Sequence, residues 1–171
     1  MKLCQTFVPI DTTKHLIKEF NCGKSDMNEF LVRFATKHHK AGLSSTYVLP
    51  VDDPSTDKVM IAAYYTLAVS TIVKADIPTE QSLPRYPIPM ALLARLAIDK
   101  KFQGQHLGSK SLIYALRHAV RLCDSGLPVF GLILDVLDQD ALAFYQKFDF
   151  FQPLTNNPMR LFVSISLLRQ I

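Results

Sequence analysis

Residues 95–108 restrict the possible folds of this chain more than any other stretch. They join the end of an apolar segment to the start of a helical pattern through a loop that contains glycine. Residues 90–98 are mostly apolar and predict a buried strand. The apolar face of the following helix comprises Leu112, Leu116, Ala119, Val120 and Cys123. Gly104 and Gly108 lie between strand and helix. Because a helix start carries unpaired N–H groups and a positive dipole end, this junction is a candidate phosphate or pyrophosphate site.

The two best-known phosphate loops do not fit this junction. There is no GxxxxGK[ST] sequence, and the spacing of Gly104 and Gly108 does not make GxGxxG. The alternative to a phosphate site is a turn that only connects the strand to the helix and binds no ligand. His106 stands between the two glycines, and histidine adopts positive φ less easily than glycine. If that position requires φ above zero, we expect His106 to weaken the loop or to tilt a cofactor bound there.

Composition predicts one globular domain covering residues 1–171, with 49% hydrophobic and 20% charged residues. The net charge of +4 suggests an anionic partner, and a phosphate-rich ligand would account for part of it. Cys4, Cys22 and Cys123 form no CxxC pair, which indicates a reducing compartment and no metal site. The longest apolar stretch, residues 59–73, contains polar residues and reads as a strand. We therefore expect a cytoplasmic protein without membrane contact.

In the N-terminal half, residues 3–8 predict a short strand, and Asp11 or Thr12 can cap a helix running to residue 20. A second helix is predicted from residue 25 or 26, through a capping box with Glu29 or a Ser25 cap, to a stop at Gly42. The remaining elements are an antiparallel hairpin (44–51 and 58–70), an irregular proline-rich loop (74–89), a central strand (129–136), a helix from Asp138, and a last strand (160–168). This order predicts an α/β fold.

Three features share a known family's order and spacing: the strand Arg95–Ile98, the loop Gln103–Gly108 and the run Asp138–Phe150. Together they resemble the GNAT acetyltransferase superfamily. The usual glycines are replaced by His106 and Asp149, and a usual asparagine by Asp138. The resemblance implies a single-domain GNAT fold, with a mixed, mostly antiparallel central sheet of about six to seven strands flanked by about four helices.

The same resemblance implies how acetyl-coenzyme A, the co-substrate, would bind. The strand backbone would bond the pantetheine arm, and the loop amides would take the pyrophosphate. The implied cofactor-binding residues are Leu96, Ala97, Ile98, Gln103, Gly104, Gln105, His106, Leu107, Gly108, Ser109, Asp138, Ala141 and Phe144. Tyr145 would be catalytic, donating a proton to the departing thiolate, because a phenol with a pKa of about 10 is protonated at pH 7.

The acceptor amine must be neutral to attack. An α-amino group has a pKa of roughly 7.7–8.0 and a lysine amine one of about 10.4, so near pH 7 far more of the former is uncharged. The matched motifs contain no carboxylate or histidine that must be the base. We therefore hypothesise an α-amino acceptor, either a protein N-terminus or an aminoacyl group.

Three N-terminal segments, Phe20–Gly23, Asn28–Leu31 and Gly42–Leu49, resemble those of the GNAT toxins of bacterial toxin–antitoxin modules. That branch implies acetylation of aminoacyl-tRNA, a block of translation, a ribbon-helix-helix antitoxin and a homodimer. The candidate tRNA-contacting residues are Arg95, Arg85, Lys37, Lys40, Lys100, Lys101, Lys110, Arg117 and Arg121. Arg95 is the most specific of these, since an arginine in an apolar strand needs an anionic or polar partner.

Two other functions remain open at this point. A GNAT could instead acetylate a protein N-terminus or a small amine, because the acceptor evidence is resemblance alone. A scaffold without catalysis, acting as an RNA- or partner-binding module, is favoured by His106 and Asp149 at positions where the family has glycine.

Overall fold

The computed structural model describes all residues, Met1–Ile171. The strands are β1 Val8–Pro9, β2 His15–Leu16, β3 Ser45–Pro50, β4 Val59–Ile72, β5 Ile88–Ile98, β6 Gly131–Asp135, β7 Gln152–Leu154 and β8 Asn157–Ser164. The α-helices are α1 Ser25–Arg33, α2 Ala35–Ala41, α3 Leu107–Asp124, α4 Gln139–Gln146 and α5 Ile165–Leu168. None of the helices is both long and apolar enough to cross a membrane.

The sheet has the strand order β1-β3-β4-β5-β6-β8-β7, and β2 pairs with β4. The pairs β1–β3, β3–β4, β6–β8 and β7–β8 are antiparallel, whereas β5–β6 and β2–β4 are parallel. This confirms the predicted α/β class and its mixed, mostly antiparallel sheet. The sheet has eight strands and the chain five α-helices, one more of each than the upper expectation.

The chain forms two compact units, Met1–Ala68 with Arg95–Tyr114, and Val69–Ala94 with Ala115–Ile171. In the first unit, one buried cluster joins the helices to the sheet and includes Phe20, Phe30, Leu31, Ala35, Val48, Tyr64 and Ala97. A second cluster includes Leu49, Val51, Ala62, Ala63, Phe102 and Leu107. These clusters fix both ends of the predicted loop, because Ala97 and Phe102 precede it and Leu107 follows it. The single domain over 1–171 stays a prediction.

The second unit is built on β6, which is buried at its first four residues, as expected for a central strand. Its apolar cluster comprises Ile72, Ile77, Ile88, Met90, Ile133, Leu154 and Phe162. Gly131 starts β6, and a Cβ there would lie 2.5 Å from Phe162 Cε2 and 2.5 Å from the Val163 carbonyl oxygen. Only glycine therefore lets β8 approach this closely.

The predicted helix over residues 11–20 is wrong. The Asp11 carboxylate accepts hydrogen bonds from Thr13 N at 2.8 Å and from Thr13 Oγ1 at 2.6 Å, which closes a local turn. His15 and Leu16 then pair with β4 instead of continuing a helix. An aspartate that can cap a helix can equally cap a turn, so the residue type alone did not decide between them.

The second helix is divided, and its predicted cap is wrong. Lys24 is the N-cap of α1 and makes no side-chain cap hydrogen bond, so neither Ser25 nor a capping box starts it. Phe34 separates α1 from α2. Gly42 ends α2 in a left-handed conformation, with φ of 73°, as predicted.

The last strand ends earlier than predicted. β8 covers Asn157–Ser164, and the Ser164 hydroxyl then accepts a hydrogen bond from Leu167 N at 3.1 Å to cap α5. The short strand β7 was not predicted. Its three residues, Gln152–Leu154, are too few to show an alternating pattern.

Candidate functional site

The predicted loop lies between two buried anchors in the first unit. Phe102 and Leu107 are buried, while residues 103–106 between them are exposed. A Cβ on Gly104 would meet no atom within 4 Å, so the backbone there faces open space. The first N–H groups of α3 follow directly at Leu107. An anchored loop with exposed amides at a helix start fits a pyrophosphate ligand.

The loop backbone takes two left-handed residues. Gly104 has φ of 78°, and His106 has φ of 61° and is the only non-glycine residue with positive φ. The position of His106 in the loop thus has φ above zero, which is the condition under which a histidine there was expected to matter. A left-handed conformation costs an L-residue other than glycine roughly 1–2 kcal/mol, and His106 carries that strain in this loop.

The start of the loop is held by the side chains of Asp99 and Gln103, of which only Gln103 belongs to the predicted cofactor-binding set. Asp99 is only 3% exposed, and its carboxylate accepts hydrogen bonds from Asn21 N and Lys101 N, each at 2.9 Å. The Gln103 amide donates to the Cys22 carbonyl at 3.0 Å and to the Ile98 carbonyl at 2.8 Å. The Gln103 side chain is thus occupied by protein carbonyls. The sequence did contain a signal for Asp99, because a charged residue that directly follows an apolar strand is expected to have a specific hydrogen-bonding partner.

The strand before the loop places Arg95 against an aromatic ring. Its guanidinium carbon lies 3.7 Å from the centroid of Phe30, which is a close cation–π contact. Ala97 is buried, whereas Leu96 and Ile98 are partly exposed. The partner of Arg95 described here is therefore an aromatic face. Its role with an anionic ligand stays a prediction.

The other candidate tRNA-contacting residues are spread over several elements. Lys37 and Lys40 are exposed on α2, and Arg85 is exposed in the segment before β5. Lys100 and Lys101 form the turn after β5, and Lys110, Arg117 and Arg121 are exposed on α3. Because these side chains are exposed, a polyanion such as tRNA could contact them. Exposure alone does not show that any of them binds one.

In the second unit, α4 positions Tyr145 in an aromatic environment. The predicted helix starts at Asp138, whose carboxylate accepts a hydrogen bond from Ala141 N at 2.9 Å and caps it. Tyr145 is 8% exposed, and its ring lies 5.1 Å from that of Phe144 and 5.8 Å from that of Phe151. Burial raises the pKa of the Tyr145 phenol to about 12. A phenol with a pKa raised in this way keeps its proton near pH 7.

Comparison with known proteins identifies the family. Residues 79–150 match the acetyltransferase (GNAT) family. Over 136 residues the chain is 32% identical to the tRNA-acetylating toxin of Mycobacterium tuberculosis (strain ATCC 25618 / H37Rv), covering 78% of this chain and 77% of that protein. The chain belongs to the GNAT acetyltransferase family.

Solved structures resemble this GNAT along nearly its whole length. AtaT complexed with acetyl-methionyl-tRNAfMet has a TM-score of 0.85 and 26% identity, covering 96% of this chain and 97% of AtaT. AtaTR bound with AcCoA has a TM-score of 0.82 and 26% identity, covering 96% of each chain. The suspected likeness to GNAT toxins is thereby confirmed.

Within the GNAT motifs, the departures from glycine have different consequences. Asp149 is exposed in the turn that follows α4, whereas His106 places a side chain at a left-handed position in the loop. The structure contains no group of three or more His, Cys, Asp or Glu side chains that could hold a metal ion. Of the two departures, His106 is the one that lies within the loop.

Replacing His106 by glycine should stabilise the protein slightly. Relief of the positive φ gains roughly 1–2 kcal/mol, and the added freedom of glycine in the unfolded chain costs about 0.5–1 kcal/mol. We expect His106→Gly to raise the free energy of unfolding by about 0.5–1 kcal/mol in urea denaturation. His106→Ala is the matched control, because it removes the imidazole and keeps the strain. Equal stability of the two variants would contradict this account.

Proposed function

We propose that this GNAT transfers the acetyl group of acetyl-coenzyme A to the α-amino group of aminoacyl-tRNA. In doing so it would block translation as the toxin of a toxin–antitoxin pair. The observation that carries the proposal is the likeness, over nearly the whole chain, to AtaT complexed with acetyl-methionyl-tRNAfMet. The tRNA-acetylating toxin at 32% identity supports the same substrate.

The co-substrate is acetyl-coenzyme A. The loop suits this ligand because its backbone amides can donate hydrogen bonds to the pyrophosphate. The backbone amides from Gly104 to Ser109, in the exposed part of the loop and the first residues of α3, would bond the pyrophosphate, and the backbone of Leu96–Ile98 would bond the pantetheine arm. Gly104 leaves room for the close approach that such bonding requires. Ala141 and Phe144 on α4 remain proposed contacts from the family resemblance.

In the proposed reaction, the neutral α-amine attacks the carbonyl carbon of the acetyl thioester. A C–N bond forms, the C–S bond breaks, and the Tyr145 hydroxyl gives its proton to the departing sulfur. The amine releases a proton to solvent, and the Tyr145 phenolate takes a proton back from solvent, which restores the hydroxyl for the next cycle. Direct transfer is favoured over an acetyl-cysteine route. Burial raises the pKa of the half-buried Cys22 thiol, so the thiolate that such a route needs is disfavoured.

The pH dependence of the rate should report the acceptor amine alone. With a raised pKa of about 12, Tyr145 keeps its proton throughout the accessible range and causes no loss of rate at alkaline pH. An α-amine with a pKa of roughly 7.7–8.0 should give a rate rising about tenfold per pH unit up to pH 7 and less than about twofold between pH 8 and 9. Initial rates of acetyl transfer between pH 5.5 and 9 measure this. A rate that still rises about tenfold between pH 8 and 9 would indicate a lysine acceptor.

The remaining partners are proposed from the toxin branch. We expect a ribbon-helix-helix antitoxin, a homodimer and a cytoplasmic location, where charged tRNA is found. The exposed cations Lys37, Lys40 and Arg85, together with Arg95, are proposed to contact the tRNA phosphates. Binding through phosphates should weaken steeply as salt is raised.

A panel of acceptors tests the proposal. Labelled acetyl-coenzyme A is offered with charged tRNA, deacylated tRNA, a peptide with a free N-terminus, and an N-blocked peptide with lysine. We expect label on charged tRNA alone. Label on the peptide N-terminus but not on tRNA would replace the toxin function by N-terminal acetylation. No label on any acceptor would favour a scaffold without catalysis.

A further inference from the structure

The buried carboxylate of Asp99 joins two segments that are far apart in sequence. Its Oδ2 accepts a hydrogen bond from Asn21 N, and its Oδ1 accepts one from Lys101 N, both at 2.9 Å. At 3% exposure, its charge depends on these backbone N–H groups for the solvation that water would otherwise give. Lys101 N belongs to the turn that leads into the loop. Asp99 therefore ties the loop entry to the turn around Asn21.

Two further bonds join the same segments. Lys100 N donates to the Asn21 carbonyl at 2.9 Å, and the Gln103 amide donates to the Cys22 carbonyl at 3.0 Å. The Gln103 amide also reaches the Ile98 carbonyl, at the last residue of β5. The loop entry is thus fixed from both sides, by its own strand and by the Asn21 turn.

The Asn21 turn is itself held from α1. The Asn28 carboxamide accepts from Cys22 N at 2.9 Å and donates to Asn21 Oδ1 at 3.0 Å. Gly23 has φ of 89°, and a Cβ there would lie 3.0 Å from Lys100 Cε. Glycine thus allows both the turn and its contact with the lysine stem. Residues Asn21, Cys22, Asn28, Asp99 and Gln103 form a continuous hydrogen-bonded set, which we call the loop-entry cluster.

We propose that the loop-entry cluster sets the affinity for acetyl-coenzyme A, with Asp99 and Asn28 as positioning residues that act through the loop backbone. This rests on the proposed use of acetyl-coenzyme A. The exposed amides begin immediately after the segment that the cluster fixes. Amides held in one arrangement before binding do not have to be ordered by the ligand, so their preorganisation lowers the cost of binding. The cluster bears on cofactor affinity, not on acetyl transfer from bound cofactor.

Asp99→Asn tests the proposal directly. The asparagine amide presents a donor where the carboxylate had an acceptor, so one of the two backbone N–H groups loses its partner. We expect the Kd for acetyl-coenzyme A, measured by calorimetry, to rise about tenfold, with KM for acetyl-coenzyme A following it. The kcat at saturating cofactor and the KM for the acceptor should stay within about twofold. A merely structural role would not separate KM from kcat in this way.

Asn28→Ala provides a second variant that should fold, because alanine suits the helix and the site is partly exposed. It removes the support of the turn from α1, and we expect a Kd about threefold above that of the wild type. Asp53→Asn is the matched control. The Asp53 carboxylate also accepts two local bonds, from Ser55 N and Ser55 Oγ, but in an exposed turn between β3 and β4.

The outcomes are distinct. A rise in Kd with Asp99→Asn and Asn28→Ala, and none with Asp53→Asn, supports the proposal. If the Asp99→Asn variant does not fold, the Kd of the Asn28→Ala variant alone tests the proposal. Wild-type affinity in both variants, or a fall in kcat with unchanged Kd, would overturn it. A wild type that binds no acetyl-coenzyme A would overturn the cluster and the proposed function together, whereas binding without transfer to tRNA would overturn only the tRNA substrate.

Discussion

Replacing Tyr145 by phenylalanine should lower kcat by at least about tenfold, and by about a hundredfold where proton transfer to sulfur limits the rate. The change removes one hydroxyl and keeps the ring, which lies among Phe144 and Phe151. Stability and the Kd for acetyl-coenzyme A should therefore change little. Single-turnover transfer of labelled acetyl to charged tRNA at saturating cofactor measures the chemical step.

Tyr64→Phe is the matched control for the loss of a buried tyrosine hydroxyl. The Tyr64 hydroxyl donates to the Met27 carbonyl at 2.7 Å, and burial raises its pKa above the usual value. Its removal should cost about 1 kcal/mol of stability and leave kcat unchanged where the protein is folded. If Tyr145→Phe kept its rate, or if both variants lost it equally, the acid role of Tyr145 would be refuted.

Replacing Gly131 by alanine should destabilise the protein by about 3 kcal/mol or more. The new Cβ would lie 2.5 Å from the Val163 carbonyl oxygen, which is backbone of the paired strand β8 and cannot rotate away. The Phe162 ring at the same distance would also have to move. Urea unfolding followed by circular dichroism measures the loss, and a failure to accumulate folded protein would agree with it.

Gly42→Ala separates this steric effect from backbone strain. Gly42 has φ of 73°, yet a Cβ there would meet no atom within 4 Å. Its substitution should cost only about 1 kcal/mol, from the left-handed conformation alone. If Gly131→Ala were tolerated as well as Gly42→Ala, the close approach of β6 and β8 would not exist in solution.

Strongly periodic elements could be predicted from the sequence. α3 has a long apolar face and β6 a continuous apolar run, and both lie where those patterns placed them. Residues 11–20 could not be assigned in this way. There the Asp11 carboxylate closes a turn, and pairing of His15 and Leu16 with β4 replaces the helix. Such pairing is a tertiary effect that local propensity does not contain.

The candidate site likewise has parts that could be predicted from the sequence and parts that could not. The loop 103–108 and the α4 motif with Tyr145 are continuous in sequence, so their spacing could be compared with a family. The bond from Asn21 N to Asp99 spans 78 positions, and the contact of Arg95 with Phe30 joins β5 to α1. Nothing in either segment alone predicts its partner. The loop-entry cluster therefore required the structure.

The most direct test of the central claim is the chemical identity of the acetylated product. Charged tRNA is incubated with the enzyme and acetyl-coenzyme A, the aminoacyl ester is hydrolysed under alkaline conditions, and the released amino acid is analysed by mass spectrometry. The account predicts an N-acetyl amino acid, formed by the wild type and largely absent with Tyr145→Phe. Release of only the unmodified amino acid from tRNA treated with the wild type would contradict it.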